Sequence, residues 1–598
     1  LVGSEMCIRD RRMPILNSTL IIIVTFIPLF FLTGMEGRML VPLGIAFIVA
    51  LFASTVVALT LTPVLCSYLL GKGKTDKDIS REPFVARTLK KYYGQALEWA
   101  LRHRTGVLGG TIALFVAAMI TFFTLGRSFL PPFNEGSFTI NVSTLPGISL
   151  EESDNIGRRA EELLLEVPEI QTVARKTGRA ELDEHALGVN TSEIEAPFVL
   201  GDRSHAEVVA DVRKKLSVIP GVNIEIGQPI SHRIDAMLSG TQARIAIKLF
   251  GDDLNRMFML GNQIKKNISA IDGVVDLNVE QQIERPQLKI TPRREMLARY
   301  GVSLSEFAEF IDVALAGEVV SQVYEGSRTF DLTVKVKDDE RSSAAKIGDL
   351  MVDTQDGKVP LSYLAEIKSA TGPNTINREN VKRKIVISAN VSDRDLRSVV
   401  DDIRERIDET VVLPEGYFIE YGGQFESEAA ASRTLSFVSL FSLLVVFLLL
   451  YNQFRSVSQS AVILLNLPLA LIGGVFILRF TTGEISIPAI IGFISLFGIA
   501  TRNGMLLVSH YNTMLSEGNS LHDTILRGSL DRLNPILMTA LTSALALIPL
   551  ALGGDLPGNE IQSPMAKVIL GGLITSTFLN AFVVPVVYWI MNRKKENR

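Results

Sequence analysis

One arginine of this sequence stands where a charge is costly. Arg502 lies within the apolar stretch Ile485 to His510, in the run IATRNGMLLV. An arginine at the centre of a membrane helix costs about 2.5–3.5 kcal/mol on insertion scales, so it usually pairs with an acid or faces a wet cavity. The long apolar stretches of this chain contain no Asp or Glu, so we expect the partner of Arg502 to lie outside the chain. Snorkelling of the side chain to the membrane interface is the alternative.

A second candidate site is a group of carboxylates around one imidazole. Its members are Glu181, Asp183, Glu184, His185, Glu193 and Glu195. Carboxylate and imidazole suit zinc, cobalt or nickel, whereas copper(I) prefers thioether or thiolate. The group therefore predicts a binding region for a divalent metal cation. A charge run of this kind is equally typical of a solvated loop.

His232 and Asp235, in SHRIDAM, are further candidates for the same chemistry. A structural polar turn is the stronger alternative for this short segment.

Two other chemistries are disfavoured. Cys7 lies in a doubtful N-terminal stretch and Cys66 in an apolar run, so neither a disulfide framework nor a cysteine zinc site is predicted. The sequence from Gly73 to Thr75 imitates the end of a nucleotide-binding P-loop, but Tyr68 stands where the first glycine belongs. We predict no cofactor and no enzymatic activity.

The elements that position these residues follow from the composition. Of the 598 residues, 47% are hydrophobic and 21% charged, and the mean hydropathy of +0.28 is too high for an ordinary soluble protein. The apolar and the charged residues are segregated along the chain. The net charge of -4 gives no indication of a nucleic-acid partner.

Eight apolar stretches predict membrane-spanning helices. They are Leu16 to Thr33, Pro42 to Leu69, Thr105 to Leu125, Leu435 to Tyr451, Ala461 to Phe480, Ile485 to His510, Pro535 to Leu552 and Lys567 to Ile590.

Lysine and arginine orient these helices in the membrane. The basic connector 71–104 and the tail 593–598 are predicted to be cytoplasmic by the positive-inside rule. The polar region 127–432 then lies outside, and membrane lipid is a partner. In the connector, Phe84 to Arg104 reads as an amphipathic helix on the inner surface. The predicted membrane helices thus form three groups: a pair over 12–70, one helix over 105–126 and five helices over 433–592.

The outside region predicts repeated strand-helix-strand units. Strands at Ser137 to Val142, Ile170 to Ala174, Ile194 to Val199 and Val222 to Ile226 alternate with helices at Leu150 to Glu166 and Ala206 to Leu216. This order is typical of a ferredoxin-like module. Further units are predicted at Ala243 to Ile290 and Lys384 to Tyr421. The predicted fold class is an α-helical polytopic membrane protein with a large α+β outside domain.

An internal repeat indicates a parallel duplication of the membrane helices. Pro14, Pro28, Pro42 and Pro63 recur as Pro535, Pro549, Pro564 and Pro585, at offsets of 521 or 522 residues. Coincidence among proline-tolerant membrane helices is the alternative. At this offset the counterpart of the helix near Thr105 would begin 416 residues before the numbering origin. We therefore expect a longer natural protein, and exclude residues 1–11 as a doubtful non-native stretch.

Several motifs carry a family resemblance over nearly the whole chain after Arg12. PILNSTLIIIV, ALTLTPVLCSYLL, GIATRNGMLLV and RLNPILMTALTS resemble the resistance-nodulation-division (RND) permeases. KTGRAELDEHALGVNTSEIE, QPISHRIDAMLSG and EYGGQFE resemble their heavy-metal efflux branch. The resemblance implies a homotrimer in the inner membrane with a large periplasmic domain. It also implies a periplasmic adaptor, an outer-membrane channel and export in exchange for protons.

The resemblance also assigns a proton relay. Arg502 matches the basic relay position of the family, Thr539 its hydroxyl and Arg532 a nearby arginine. The family's relay acids lie on a helix of the first half, outside this chain. Protonation of those acids would release Arg502 and let the helices repack. For Arg532, near a helix start, snorkelling is an equal alternative.

Together the site residues and the resemblance predict a secondary transporter that exports divalent heavy-metal cations. Where the copper and silver exporters have methionines, this chain has Glu193 and Val302, which disfavours a soft-metal site. Two alternatives remain open. One is an RND exporter of drugs or other organic solutes, and the other is a protein- or lipid-handling relative with the same membrane architecture.

Overall fold

A computed structural model describes residues 16–70, 83–131, 133–145, 147–178, 188–239, 243–280, 282, 285–373, 376–392, 394–554, 556 and 558–596. Its helices are α1 (Leu16–Phe31), α2 (Gly34–Leu59), α3 (Leu61–Leu70), α4 (Phe84–Arg102), α5 (Arg104–Thr124), α6 (Leu150–Leu165), α7 (His205–Leu216), α8 (Pro229–Ser239), α9 (Leu254–Ile268), α10 (Arg294–Arg299), α11 (Leu304–Ile311), α12 (Ala344–Gly348), α13 (Leu361–Leu364), α14 (Leu396–Thr410), α15 (Gln424–Phe454), α16 (Val457–Leu464), α17 (Asn466–Thr481), α18 (Ile487–Ser516), α19 (Leu521–Leu552) and α20 (Gln562–Glu596).

The strands are short and all but two of them lie in the polar region. They are β1 (Gly126–Arg127), β2 (Ser137–Ser143), β3 (Ala174–Thr177), β4 (Thr191–Pro197), β5 (Asn223–Gly227), β6 (Ile245–Phe250), β7 (Val274–Val279), β8 (Arg285–Pro292), β9 (Glu318–Glu325), β10 (Arg328–Val334), β11 (Met351–Thr354), β12 (Gly357–Pro360), β13 (Ala365–Gly372), β14 (Asn377–Glu379), β15 (Lys382–Val391), β16 (Phe418–Gly423) and β17 (Glu484–Ile485).

Seven helical segments of the described chain are long and apolar enough to cross a membrane. They are Gly34–Leu65, Arg104–Thr124, Gln424–Phe454, Val457–Thr481, Ile487–Ser516, Leu521–Leu552 and Gln562–Arg593. Each contains or overlaps one of the predicted stretches. The eighth predicted stretch is an apolar helix over Leu16–Phe31, which is shorter than the other seven as far as the structure describes it.

Glycines allow the membrane helices to approach one another closely. A Cβ added at Gly473 of α17 would lie 2.1 Å from the carbonyl oxygen of Gly571 in α20, and one added at Gly571 would lie 2.5 Å from that of Gly473. Small residues at such crossings are the usual means by which membrane helices bring their backbones together. The helix that carries Arg502, α18, lies in this close-packed part of the bundle and buries Ile491, Leu496 and Leu507.

The first α/β module of the polar region has the predicted ferredoxin-like topology. Its four antiparallel strands lie in the order β3-β4-β2-β5. Helices α6 and α7 cover one face, where Ile140, Ile194 and Ile226 are buried. The expected strand Ile170 to Ala174 is wrong. Ile170 makes only an isolated bridge to Phe198, and the strand runs over Ala174–Thr177.

The second module assembles the two further predicted units into one sheet. β6 and β7 come from the first unit, and β15 and β16 from the second. β15 pairs with both β6 and β7, which gives the same strand order as in the first module. A segment with its own hydrophobic core, built around Leu297, Phe307 and Leu361, is inserted between the two units. An exposed hairpin, β9 and β10, extends from this insertion.

The polar region is joined to the membrane helices by a small parallel strand pair. β1 follows α5, and β17 lies between α17 and α18. The carboxylate of Asp395, at the N-terminus of α14, accepts a hydrogen bond from the backbone N–H of Arg127 in β1. The second module is therefore fixed directly to the ends of the membrane helices.

Candidate functional site

A short helix, α8, crosses the polar face of the first sheet and reaches the second module. Glu135 accepts hydrogen bonds from the backbone N–H groups of Ile230 at 2.6 Å and of Ser231 at 3.1 Å. These are first-turn donors that lack partners within the helix, and a carboxylate there also complements the positive end of the helix dipole. Glu135 therefore fixes the start of α8 against the module.

The sheet beneath α8 carries a row of polar side chains. Lys176, Glu193, Asn141 and Glu225 are paired in register across β3, β4, β2 and β5. They lie on the face opposite the helices, because successive side chains of a strand alternate. The Lys176 ammonium lies 2.6 Å from Glu193 Oε1. One carboxylate of the row is thus neutralised at the exposed edge.

His232 projects from α8 into this region and is buried, with 5% of its surface exposed. Burial lowers the pKa of His232 to about 4, although Glu193 and Asp276 act in the opposite direction. The imidazole is therefore neutral at physiological pH. Neither ring nitrogen has a hydrogen-bond partner among the described residues. A neutral buried imidazole of this kind is available to a cation without competition from a proton.

Asp235 lies one turn further along α8 and is also buried. Its Oδ1 accepts a 2.7 Å hydrogen bond from Nε2 of Gln424, the first residue of the membrane helix α15. Burial raises the pKa of Asp235 to about 6, against the opposing effects of this hydrogen bond and of the Arg244 charge. The carboxyl group is thus poised to change charge just below neutral pH.

Glu225 lies between the two modules. Its Oε1 accepts a hydrogen bond at 3.4 Å from Ser388 on β15 of the second sheet. Burial, together with the nearby charge of Asp276, raises the pKa of Glu225. Asp276 itself accepts hydrogen bonds from Arg213 of the first module at 2.9 and 3.0 Å. We call the polar boundary formed by Asn141, Glu193, Glu225, His232 and Asp235 the seam.

The donors of the seam are carboxylates, an amide and a neutral imidazole. Such hard and borderline ligands suit divalent cations such as zinc, cobalt and nickel. Within the part of the chain that the structure describes, no three His, Cys, Asp or Glu side chains come close enough to hold a metal ion. The donors are instead spread along the boundary between the modules.

The other predicted metal residues have separate locations. Glu195 is exposed on β4, two residues from Glu193. Glu181, Asp183, Glu184 and His185 lie outside the described residues. Val302 is buried in the hydrophobic core of the inserted segment. The predicted polar turn at His232 is wrong, because Pro229–Ser239 is helical.

Arg502 lies on α18, one helical turn from Gly498. A Cβ at Gly498 would lie 2.9 Å from Thr25 Oγ1 of α1, so this part of α18 packs against α1. Arg502 is half-buried and makes no ion pair with any residue that the structure describes. The expectation that its partner lies outside the chain stays a prediction.

Thr539 and Arg532 lie on the neighbouring helix α19. The Thr539 hydroxyl donates to the carbonyl oxygen of Pro535 at 2.9 Å. Arg532 is half-buried seven residues earlier, which is about 10 Å along a helix. Neither residue has a described hydrogen bond to Arg502, so their relay roles remain predictions.

Sequence reasoning missed two acids of the polar region, the half-buried Glu225 and the buried Glu428. Glu225 lies in an alternating strand, NIEIG, whose polar side would ordinarily face water. Glu428 lies on α15, just before the predicted apolar stretch, and is 1% exposed. It accepts a hydrogen bond from Ser432 at 2.7 Å and lies 3.7 Å from Arg397 of α14. The presence of an acid seven residues before the predicted apolar stretch, about two helical turns, was the only available signal.

Comparison with known proteins agrees with this architecture. The profile of the AcrB/AcrD/AcrF family matches residues 5–592. The chain is 33% identical to the cobalt-zinc-cadmium resistance protein CzcA of Cupriavidus metallidurans, over 98% of this chain and 56% of that protein. It is 31% identical to the nickel and cobalt resistance protein CnrA of the same organism, over 98% of this chain and 55% of that protein.

A solved structure shows the same fold. The crystal structure of a heavy metal efflux pump superimposes with a TM-score of 0.82 and 28% sequence identity, over 97% of this chain and 58% of that chain. The chain thus spans little more than half the length of the relatives it matches. The match over nearly all of this chain, with the membrane helices and the α/β modules in place, shows that it belongs to the AcrB/AcrD/AcrF family, the RND permeases.

Proposed function

We propose that this chain is part of an RND permease that exports divalent heavy-metal cations across the cell envelope in exchange for protons. As a family member it is an inner-membrane protein with many apolar helices and a large periplasmic domain. Its family consists of transporters, and its relatives include proteins named for resistance to cobalt, zinc, cadmium and nickel. The proposed assembly is a homotrimer with a periplasmic adaptor and an outer-membrane channel.

The observation that carries the metal proposal is the chemistry of the seam. It offers the buried carboxylate of Asp235, the buried neutral imidazole of His232 and the half-buried carboxylate of Glu193 as donors. An exporter of apolar solutes would instead need a pocket lined mainly by apolar and aromatic side chains. Zinc, cobalt and nickel match the donors that are present better than copper(I) does.

Proton coupling is proposed to act through Arg502. A charged side chain on a membrane helix is retained where it serves a relay or a cavity. Protonation of acids outside this chain would weaken their attraction for Arg502 and allow α18 to move against α1. Thr539 and Arg532 would support this relay from α19.

The test is metal tolerance in a bacterial host whose own metal exporters have been deleted. The gene is expressed with its natural flanking sequence, adaptor and channel, and growth is measured in zinc, cobalt and nickel. We expect increased tolerance to at least one of these metals. Arg502→Ala should abolish it, whereas Arg502→Lys should retain part of it, because the positive charge is preserved.

Two outcomes would contradict the proposal. Tolerance of organic toxicants without tolerance of any metal would favour the organic-solute exporter. Full metal tolerance in the Arg502→Ala variant, with equal membrane levels of protein, would remove Arg502 from the coupling mechanism.

A further inference from the structure

The connector helix α4 has two apolar surfaces, and only one of them is buried against the part of the protein that the structure describes. Leu97, Ala100 and Leu101 are buried against the membrane helices. The Tyr93 hydroxyl donates a 2.7 Å hydrogen bond to the carbonyl oxygen of Ala581 in α20. This first surface fixes the orientation of α4 on the bundle.

The second surface is an exposed apolar stripe. Its members recur at intervals of four and three residues: the exposed Val85, Leu89, Tyr92 and Trp99, with the half-buried Ala96 between the last two. That spacing places them on one side of a helix. Tyr92 is 67% exposed and Trp99 59% exposed. An apolar stripe of this size on an otherwise amphipathic helix indicates that something apolar covers it.

Basic residues lie on the opposite flank of α4. Successive residues are about 100° apart around a helix. The exposed Arg87, Lys91 and Arg102 therefore lie on one side of the protein-contact surface, and the stripe lies on its other side. Glu98 is the one acid among the described residues of the helix. The flank therefore carries a net positive charge.

The geometry points to the anionic phospholipids of the cytoplasmic leaflet as the partner of α4. The stripe faces the acyl chains, with Tyr92 and Trp99 at the level where amphipathic aromatic rings prefer to lie. Arg87, Lys91 and Arg102 bind the phosphate groups, because juxtamembrane basic residues are attracted to anionic headgroups.

Two features favour a bilayer over a second protein helix. Charge complementarity fits a negatively charged surface, and the next helix, α5, begins at Arg104, two residues after α4 ends. His103 stacks on Trp99 with ring centroids 4.9 Å apart, so the stripe continues to the start of α5. α4 is thus continuous with a membrane-spanning segment.

Tryptophan quenching by brominated lipids tests this inference directly. The chain has two tryptophans, Trp99 and Trp589, so Trp589→Phe leaves Trp99 as the only fluorescent indole. This protein is placed in nanodiscs that contain equal amounts of phosphatidylglycerol and phosphatidylcholine, with bromine on the chains of one lipid or the other. We expect Trp99 to be quenched, and the anionic lipid to be preferred on the order of fivefold.

A matched pair of triple variants identifies the source of the preference. Substituting Arg87, Lys91 and Arg102 by Gln should abolish the preference and leave quenching by total lipid intact. Substituting the exposed Lys266, Arg294 and Arg299 of the polar domain by Gln should change neither. An unchanged Trp99 emission maximum in pure phosphatidylcholine shows that α4 still folds.

Two results would overturn the inference. Absence of quenching by either lipid would mean that a protein, such as α4 of a second copy, covers the stripe. Equal quenching by both lipids in the protein that keeps Arg87, Lys91 and Arg102 would mean that α4 contacts the bilayer without preferring anionic headgroups.

Discussion

The side-chain amide of Gln424 donates a 2.7 Å hydrogen bond to the buried carboxyl group of Asp235. Gln424 begins the membrane helix α15, and Asp235 lies on α8 in the seam. A change in the charge of Asp235 therefore acts directly on the outer end of a membrane helix. This contact connects the region proposed to bind the cargo with the region proposed to carry protons.

We predict that Asp235→Asn stabilises the protein at neutral pH. Burial raises the pKa of Asp235 to about 6 from an ordinary 3.8, so the folded chain binds this proton more tightly than the unfolded chain does. The free energy of unfolding therefore falls as the pH rises from about 4 to 6, and remains lower above that range. At pH 7.5 the free energy of unfolding of Asp235→Asn should exceed that of the wild type by at most about 3 kcal/mol. Thermal unfolding in detergent measures it, and a Tm below that of the wild type would count against the assignment.

His232→Leu should increase the stability of the protein relative to the wild type at acidic pH, whereas the effect of Asp235→Asn is largest at neutral pH. Burial lowers the pKa of His232 to about 4 from 6.5, so the unfolded chain takes up this proton first as the pH falls. The wild type loses about 2 kcal/mol of stability from this group between pH 6.5 and pH 5. The variant lacks that loss. The Tm of the variant minus the Tm of the wild type should therefore increase as the pH is lowered from 8 to 5. A Tm difference that is the same at both pH values would contradict the prediction.

Gly227→Ala should destabilise the seam, because a Cβ there would lie 2.1 Å from the ring of His232. Overpacking of this kind costs about 1–3 kcal/mol. Gly201→Ala is the control, since a Cβ at that position meets nothing within 4 Å. The double variant Gly227→Ala with His232→Ala should lose less stability than the sum of the two single variants. Additive losses would show that the two residues do not contact each other.

Gly473→Ala should disrupt the membrane bundle. The added Cβ would lie 2.1 Å from the backbone of Gly571, where no flexible side chain can move aside. Gly109→Ala on α5 adds a methyl group into open space and should slightly increase stability, because alanine favours a helix by about 1 kcal/mol over glycine. Tm values in detergent compare the two. Similar Tm values would show that α17 and α20 can separate without cost.

The first α/β module was largely predictable from its local patterns. Alternation in SFTINVS places β2 within one residue of its observed end, and the helix from Leu150 ends one residue from its predicted end. The strand predicted from Ile170 was wrong because this apolar residue is buried in the core next to the sheet and forms only an isolated bridge, not a strand of the sheet. The membrane helices were found because their length and apolarity are local properties.

The seam was only partly predictable, because it depends on contacts between distant segments. Glu225 alternates with Ile224 and Ile226, and this pattern is the same whether its polar face meets water or another module. Here the covering strand, β15, lies more than 150 residues further along the chain. His232 was identified by residue type, but its burial depends on how α8 packs on the first sheet.

Binding of zinc to the purified chain tests the central claim most directly. Isothermal titration calorimetry at pH 7.5 compares the wild type, the double variant Glu193→Gln with Asp235→Asn, and the control Glu309→Gln, which removes an exposed acid of the inserted segment. We predict zinc binding by the wild type and the control, and affinity weaker by on the order of tenfold or more in the double variant. A wild type that binds no zinc, cobalt or nickel, or a double variant that binds zinc as tightly as the wild type, would contradict the assignment of the seam as the metal-binding region.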